Sequence, residues 1–122
     1  MVEAVMRSYY SAYNAVDAEA LQALLSPDVE LVSALGTQAG RDAYLATYGF
    51  MTGNFVDQME PQDIQVSGNV AKVRIRNALT ARNDIPDFMG QAISKGQQIV
   101  LDLVGTYTVS DGQISRIEIS QG

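Results

Sequence analysis

The strongest constraint on this chain is a pair of long strand-forming runs near its end. Ile99 to Val109 (IVLDLVGTYTV) and Gln113 to Ile119 (QISRIEI) flank Ser110-Asp111-Gly112. Both runs are rich in β-branched residues, and the segment between them is a turn signal. One face of such a hairpin must be buried, and this selects its register. A loop of Asp111-Gly112 alone would put Leu101 and Leu103 on the face of Arg116 and Glu118. A three-residue loop, with Gly112 as the left-handed bulge residue, puts Leu101, Leu103, Gly105 and Tyr107 with Ser115, Ile117 and Ile119. The second choice segregates apolar from charged side chains and is the one expected. Asp102 then points away from the interior, on a face shared with Val104, Thr106, Thr108, Ile114, Arg116 and Glu118.

The first half of the chain has a different period. Val2, Val5, Met6, Tyr9, Tyr13 and Val16 recur at spacings of three and four, one face of an amphipathic helix. Asp17 can cap a short second helix carrying Leu21, Leu24 and Leu25, which Ser26-Pro27-Asp28 should stop. Val29 to Leu35 reads as a strand with Val29, Leu31, Ser33 and Leu35 inward. Gly36 to Gly40 is a turn. Arg41 to Met51 is a third helix with Tyr44, Leu45, Tyr48 and Met51 on one stripe, ended by Gly53. Phe55 to Val66, broken at Pro61, suits an edge strand. Ser67-Gly68-Asn69 turns the chain into a strand over Val70 to Ala81. Arg82 to Gly96 is polar and reads as a long loop beside a pocket mouth. Helices first and strands later indicate an α+β class, here a single domain over residues 1–122.

Composition narrows the chemistry. At 122 residues and 47% apolar, the chain can bury one core. It has no Cys and no His. A zinc site or a thiolate nucleophile is therefore not expected, and neither is a cofactor. Any proton transfer would need a shifted carboxyl, Lys or Tyr. A net charge of −6 disfavours nucleic acid and anionic membrane surfaces. No apolar run is long enough to span a bilayer, and MVEAVMRSYY lacks the pattern of a secretory leader. A cytoplasmic protein is expected.

Two stretches resemble a known family. Tyr9 to Val32 (YYSAYNAVDAEALQALLSPDVELV) and Phe88 to Ile117 (FMGQAISKGQQIVLDLVGTYTVSDGQISRI), with Gly40-Arg41-Asp42 between them, are similar to the SnoaL-like branch of the nuclear-transport-factor-2-like superfamily. That superfamily includes steroid isomerase, scytalone dehydratase, limonene epoxide hydrolase and polyketide cyclases. The resemblance implies a cone of about three N-terminal helices on a strongly curved, mainly antiparallel sheet, with a pocket inside. Compared residue by residue, much of the family's catalytic equipment is missing. Tyr9 matches the first-helix Tyr of the steroid isomerases. Ser33 stands where their general-base Asp lies, and Gly105 where their hydrogen-bonding Asp lies. The cyclases place their acid near that same position. Arg74 and Arg76 stand where limonene epoxide hydrolases have an Arg and an Asp.

Tyr9, Tyr13, Ser33, Tyr48, Asn77, Leu103 and Tyr107 are therefore the expected pocket residues, with Tyr9 the candidate for chemistry as a hydrogen-bond donor. Arg74 and Arg76 have two readings. Their alternation with Val73 and Ile75 turns them outward, within reach of Asp102 or Glu118. The family comparison turns them inward, as contacts for an anion. Asp84 and Asp87 could supply a base on the long loop or be solvated loop charges. Three functions remain open: a pocket protein binding a small hydrophobic molecule, an isomerase, cyclase or epoxide hydrolase acting on one, and a non-catalytic structural dimer. The mixed outer face of the sheet suits a homodimer.

Overall fold

Apolar residues three and four apart wind the N-terminus into α1 (Val2–Asn14), whose buried face is Met6, Tyr9, Tyr10, Ala12 and Tyr13. In the computed structural model, which describes residues 1–34 and 36–121, this helix stops two residues short of Val16. Val16, expected on the inner face, is instead exposed at φ 54° in the link to α2 (Ala18–Ala23). Asp17 caps α2 by accepting the amide of Ala20 at 3.1 Å. The chain becomes extended before Pro27, because β1 (Leu25–Ser33) begins with fully buried Leu25. The inward position expected for Leu35 lies outside the described residues.

The segment read as a turn is a strand. β2 (Gly36–Ala39) pairs antiparallel with Glu30 to Ser33. α3 (Arg41–Asn54) runs through Gly53 and buries Tyr44 and Tyr48. β3 (Phe55–Ser67) is an edge strand, as expected, and continues past Pro61 with a register shift between Pro61 and Asp63. β4 (Val70–Ala81) alternates strictly, with Ala71, Val73, Ile75, Asn77 and Leu79 buried. Within the expected loop, β5 (Ile85–Phe88) and β6 (Gln91–Ile93) form a small hairpin of their own. Ile85, Phe88 and Ile93 anchor it on Phe55 and Leu79 in a second apolar cluster.

β7 (Gln98–Ser110) and β8 (Gln113–Gln121) complete a six-stranded sheet of order β2-β1-β8-β7-β4-β3. Among the described residues, only the β1–β8 pair of this sheet is parallel. α1 lies over β3 and β4, and α3 over β1 and β3, so the helices roof one face of the curved sheet. The final hairpin reaches its expected facing by another route. Ser110 pairs with Gln113, so the loop is only Asp111-Gly112, both at positive φ as a type I′ turn requires. The register then shifts between the Val109–Ile114 and Thr108–Arg116 pairs, leaving Ser115 as a bulge. Ile114, expected outside, is thereby fully buried opposite Val109. Tyr107 still pairs with Ile117, and Asp102 is exposed on the outer face. No helix among the described residues is long and apolar enough to cross a membrane.

One contact closes the free edge of β3. The Asn14 side chain, at the end of α1, donates to the Met59 carbonyl and accepts the Met59 amide, both at 2.7 Å. A side-chain amide thus stands in for one residue of a neighbouring strand.

Candidate functional site

Between α1, α3 and the concave face of the sheet lies a cavity of about 210 Å³, partly open to solvent. Tyr9 and Tyr13 descend from α1, Tyr44 and Tyr48 from α3, and Leu101, Leu103, Ile117 and Ile119 rise from β7 and β8. Phe88 and Met89 of the small hairpin form another part of the wall. Met89 and Gly90 are its turn, at φ 54° and 82°. Met89 is half exposed, which places it at the mouth.

Among the described residues, the one charged residue lining this cavity is Asp57 on β3, which is 3% exposed. Alternation from Phe55 turns its side chain inward. One carboxylate oxygen accepts from the Tyr13 hydroxyl at 2.7 Å, and the other accepts from the Asn77 amide at 2.7 Å. Asn77 also donates to the Gln58 carbonyl at 3.0 Å, which fixes its amide orientation. Burial pushes the Asp57 carboxyl above the usual carboxylate range, and the two donors hold part of that rise back. The composition required a shifted group for any proton transfer, and this carboxyl is one.

The tyrosines remain neutral hydroxyls. Burial pushes Tyr9, Tyr13 and Tyr44 well above the ordinary phenol value, with neighbouring tyrosines adding to the rise in all three and Asp57 adding to it in Tyr9 and Tyr13. The Tyr9 and Tyr44 hydroxyls are 2.5 Å apart. Two O–H groups share one hydrogen bond there, so one proton of the pair is left to donate elsewhere. Tyr48 donates to the Tyr13 carbonyl at 2.7 Å and ties α3 to α1. Among the described residues, no three carboxylates gather as a metal would require.

Of the residues expected in the pocket, Tyr9, Tyr13, Ser33, Tyr48, Asn77 and Leu103 line the cavity. Tyr107 does not. It is fully buried behind the wall, where its hydroxyl accepts from Tyr10 at 2.9 Å. Its ring folds back over Gly105. A Cβ at Gly105 would stand 2.6 Å from Tyr107 Cε1 and 3.0 Å from its hydroxyl oxygen. The position where the resemblance would put an acid is therefore filled by a phenol from two residues further on. Arg74 and Arg76 are exposed on the outer face, as their alternation implied, and do not line the cavity into which the family comparison turned them. Strict alternation with buried Val73 and Ile75 decides the matter. Arg76 is in register with Asp102, whereas Glu118 bonds Arg116 at 2.6 Å, and Arg116 also bonds Glu30. Asp84 and Asp87 serve the small hairpin. They accept the amides of Lys95 at 2.8 Å and Gly90 at 2.9 Å.

Asp57 and Tyr44 were not among the expected site residues. The signal for Asp57 was a charge in phase with Phe55 and Met59. The signal for Tyr44 was its place one turn before Tyr48.

Several solved structures share this architecture. A candidate polyketide cyclase from Silicibacter superposes with a TM-score of 0.85 at 19% identity, covering 99% of this chain and 88% of its own. IdmH, a candidate polyketide cyclase from Streptomyces antibioticus, gives 0.81 at 23% identity, covering 98% and 91%. An NTF2-like protein of unknown function from Burkholderia pseudomallei gives 0.80 at 21%, covering 99% and 90%. At these identities the likeness establishes the fold. No curated protein matches the sequence. The model of the SnoaL-like domain matches residues 6–117. With nearly its whole length matched and the helix-roofed cone in place, the chain belongs to the SnoaL-like family.

Proposed function

We propose that this is a small-molecule pocket protein that holds a mainly apolar molecule between α1, α3 and the sheet. The observation that carries this reading is the cavity itself. It measures about 210 Å³, and its walls are aliphatic and aromatic except for a few fixed polar groups. Benzene occupies an apolar cavity of about 150 Å³, so the volume here suits a substituted single ring. Leu103→Arg would fill the cavity with a charge. Calorimetry with a cyclic C7 to C10 alcohol should show binding to the parent protein and a loss of about tenfold or more in the variant. Equal binding to both would refute the reading.

A second reading, an enzyme acting on such a molecule, is favoured by Asp57. The carboxylate missing at the family's positions is supplied here from β3, desolvated and held by Tyr13 and Asn77. Such a group can take a proton from carbon beside a carbonyl, while the Tyr9–Tyr44 pair donates to the carbonyl oxygen as charge develops. This is the chemistry of an isomerase or a cyclase. In a screen of cyclic enones, Asp57→Asn should abolish turnover, and Tyr9→Phe should slow it with little change in KM. Activity that survives Asp57→Asn removes this reading.

The outer sheet face exposes Val56 on β3 and Val100 on β7, with Val104 half-buried further along β7. These side chains support a homodimer through that face. Light scattering that stays monomeric at high concentration would exclude it.

A further inference from the structure

Among the described residues, the cavity wall carries one buried carboxyl group and no cationic side chain. Asp57 has two neutral donors, Tyr13 and Asn77, and among the described residues no Lys or Arg lines the cavity. A buried carboxylate is ordinarily paired with a cation. The cations that family comparison would have aimed inward, Arg74 and Arg76, face solvent on the far side of the sheet. The sign of the site is therefore opposite to that of an anion-binding pocket. Four tyrosine rings, Tyr9, Tyr13, Tyr44 and Tyr48, share the wall with Asp57. Aromatic faces carry partial negative charge and attract ammonium groups. The rest of the wall is mainly apolar, with Phe88 and a few polar side chains among the aliphatic residues.

Building on the pocket reading above, we propose that the cavity selects a small hydrophobic amine, its ammonium paired with Asp57 and its ring held among the aliphatic residues. The ligand brings the missing counter-charge. A carboxylate of the same size is rejected, because it would place two like charges together in a desolvated site.

The test is a matched series on one skeleton: cyclohexylmethylamine, cyclohexylmethanol and cyclohexanecarboxylate, measured by calorimetry at neutral pH. A charge-assisted hydrogen bond is about twice as strong as a neutral one. The amine should bind about tenfold or more tighter than the alcohol, and the carboxylate about tenfold or more weaker. In Asp57→Asn the preference for amine over alcohol should fall to within about threefold, while alcohol binding persists. The wild-type ranking is decisive alone if that variant does not fold. If the alcohol binds and the amine gains nothing over it, the charge proposal fails and the pocket reading stands. A carboxylate that binds as well as the amine refutes it too, as does an amine preference that survives in Asp57→Asn. If none of the three binds, both readings fail.

Discussion

Gly105→Ala adds one methyl group to a place that has no room for it. The new Cβ would lie 2.6 Å from Tyr107 Cε1, 3.0 Å from its hydroxyl oxygen and 3.1 Å from Cζ. The ring cannot swing aside freely. It is fully buried, with Tyr9 at a centroid distance of 5.5 Å and Tyr10 at 6.0 Å. Overpacking of this kind costs about 1–3 kcal/mol. Displacing the hydroxyl also loses the bond from Tyr10, worth about 0.5–1.5 kcal/mol. The expected destabilisation is roughly 2–4 kcal/mol. For a chain of 122 residues, an unfolding entropy near 2.1 cal/mol/K per residue makes each kcal/mol about 4 °C of Tm. A fall of roughly 8–15 °C should therefore appear in a calorimetric melt. The partner experiment is Gly105→Ala in a Tyr107→Leu background. Without the ring, the added methyl should cost little, giving a coupling close to the single-variant loss. Gly105→Ala with a loss below about 0.5 kcal/mol, or an equal loss in both backgrounds, would refute the ring-over-glycine account. Gly105→Asp should fare worse still, so restoring the family's acid here would unfold the protein before it restored any chemistry.

Three further outcomes follow from contacts described above. The folded carboxyl of Asp57 is raised above its unfolded value, so its contribution is fully present below about pH 4 and is lost as pH rises through the folded pKa. Asp57→Asn should accordingly melt higher than the parent at pH 7, with the gap closing towards pH 3; a constant gap would show that desolvation is not the cause. Met89→Asn places Asn-Gly, the preferred type I′ pair, where Met sits at φ 54°. Relief of left-handed strain should raise stability by about 0.5–1 kcal/mol, while a bound ring compound leaves faster by stopped flow; slower release would contradict a mouth position for Met89. Asn14→Ala strips both partners from the Met59 backbone and should cost about 1–3 kcal/mol in urea unfolding, with increased aggregation through the β3 edge.

Periodicity carried most of this fold. The alternation of Val73, Ile75, Asn77 and Leu79 fixes which way β4 faces, and with it the outward course of Arg74 and Arg76. The segregation of Leu101 and Leu103 from Asp102 fixes the final hairpin, although a bulge at Ser115 rather than a longer loop achieves it. Periodicity gives the side of a sheet and not the depth. Tyr107 has the parity of a pocket residue but lies behind the wall, because a neighbour without a side chain lets its ring fold back. Asp57 was legible by the same parity. Pro61 weakened the reading of β3 as a regular strand, and a register shift absorbs the irregularity only beyond the site. The β5–β6 hairpin was obscured because its turn carries Met89, a residue that turn chemistry does not favour at positive φ.

All six tyrosines belong to one buried cluster, and the chain has no tryptophan. Its tyrosine emission thus arises from a single group of rings, with neighbouring centroids as close as 4.7 Å for Tyr13 and Tyr48. Excitation can migrate among such rings, so a molecule that quenches one of them dims the whole group. The protein carries its own optical reporter for occupancy of the hollow beside those rings, and events confined to the far side of the sheet leave that light unchanged.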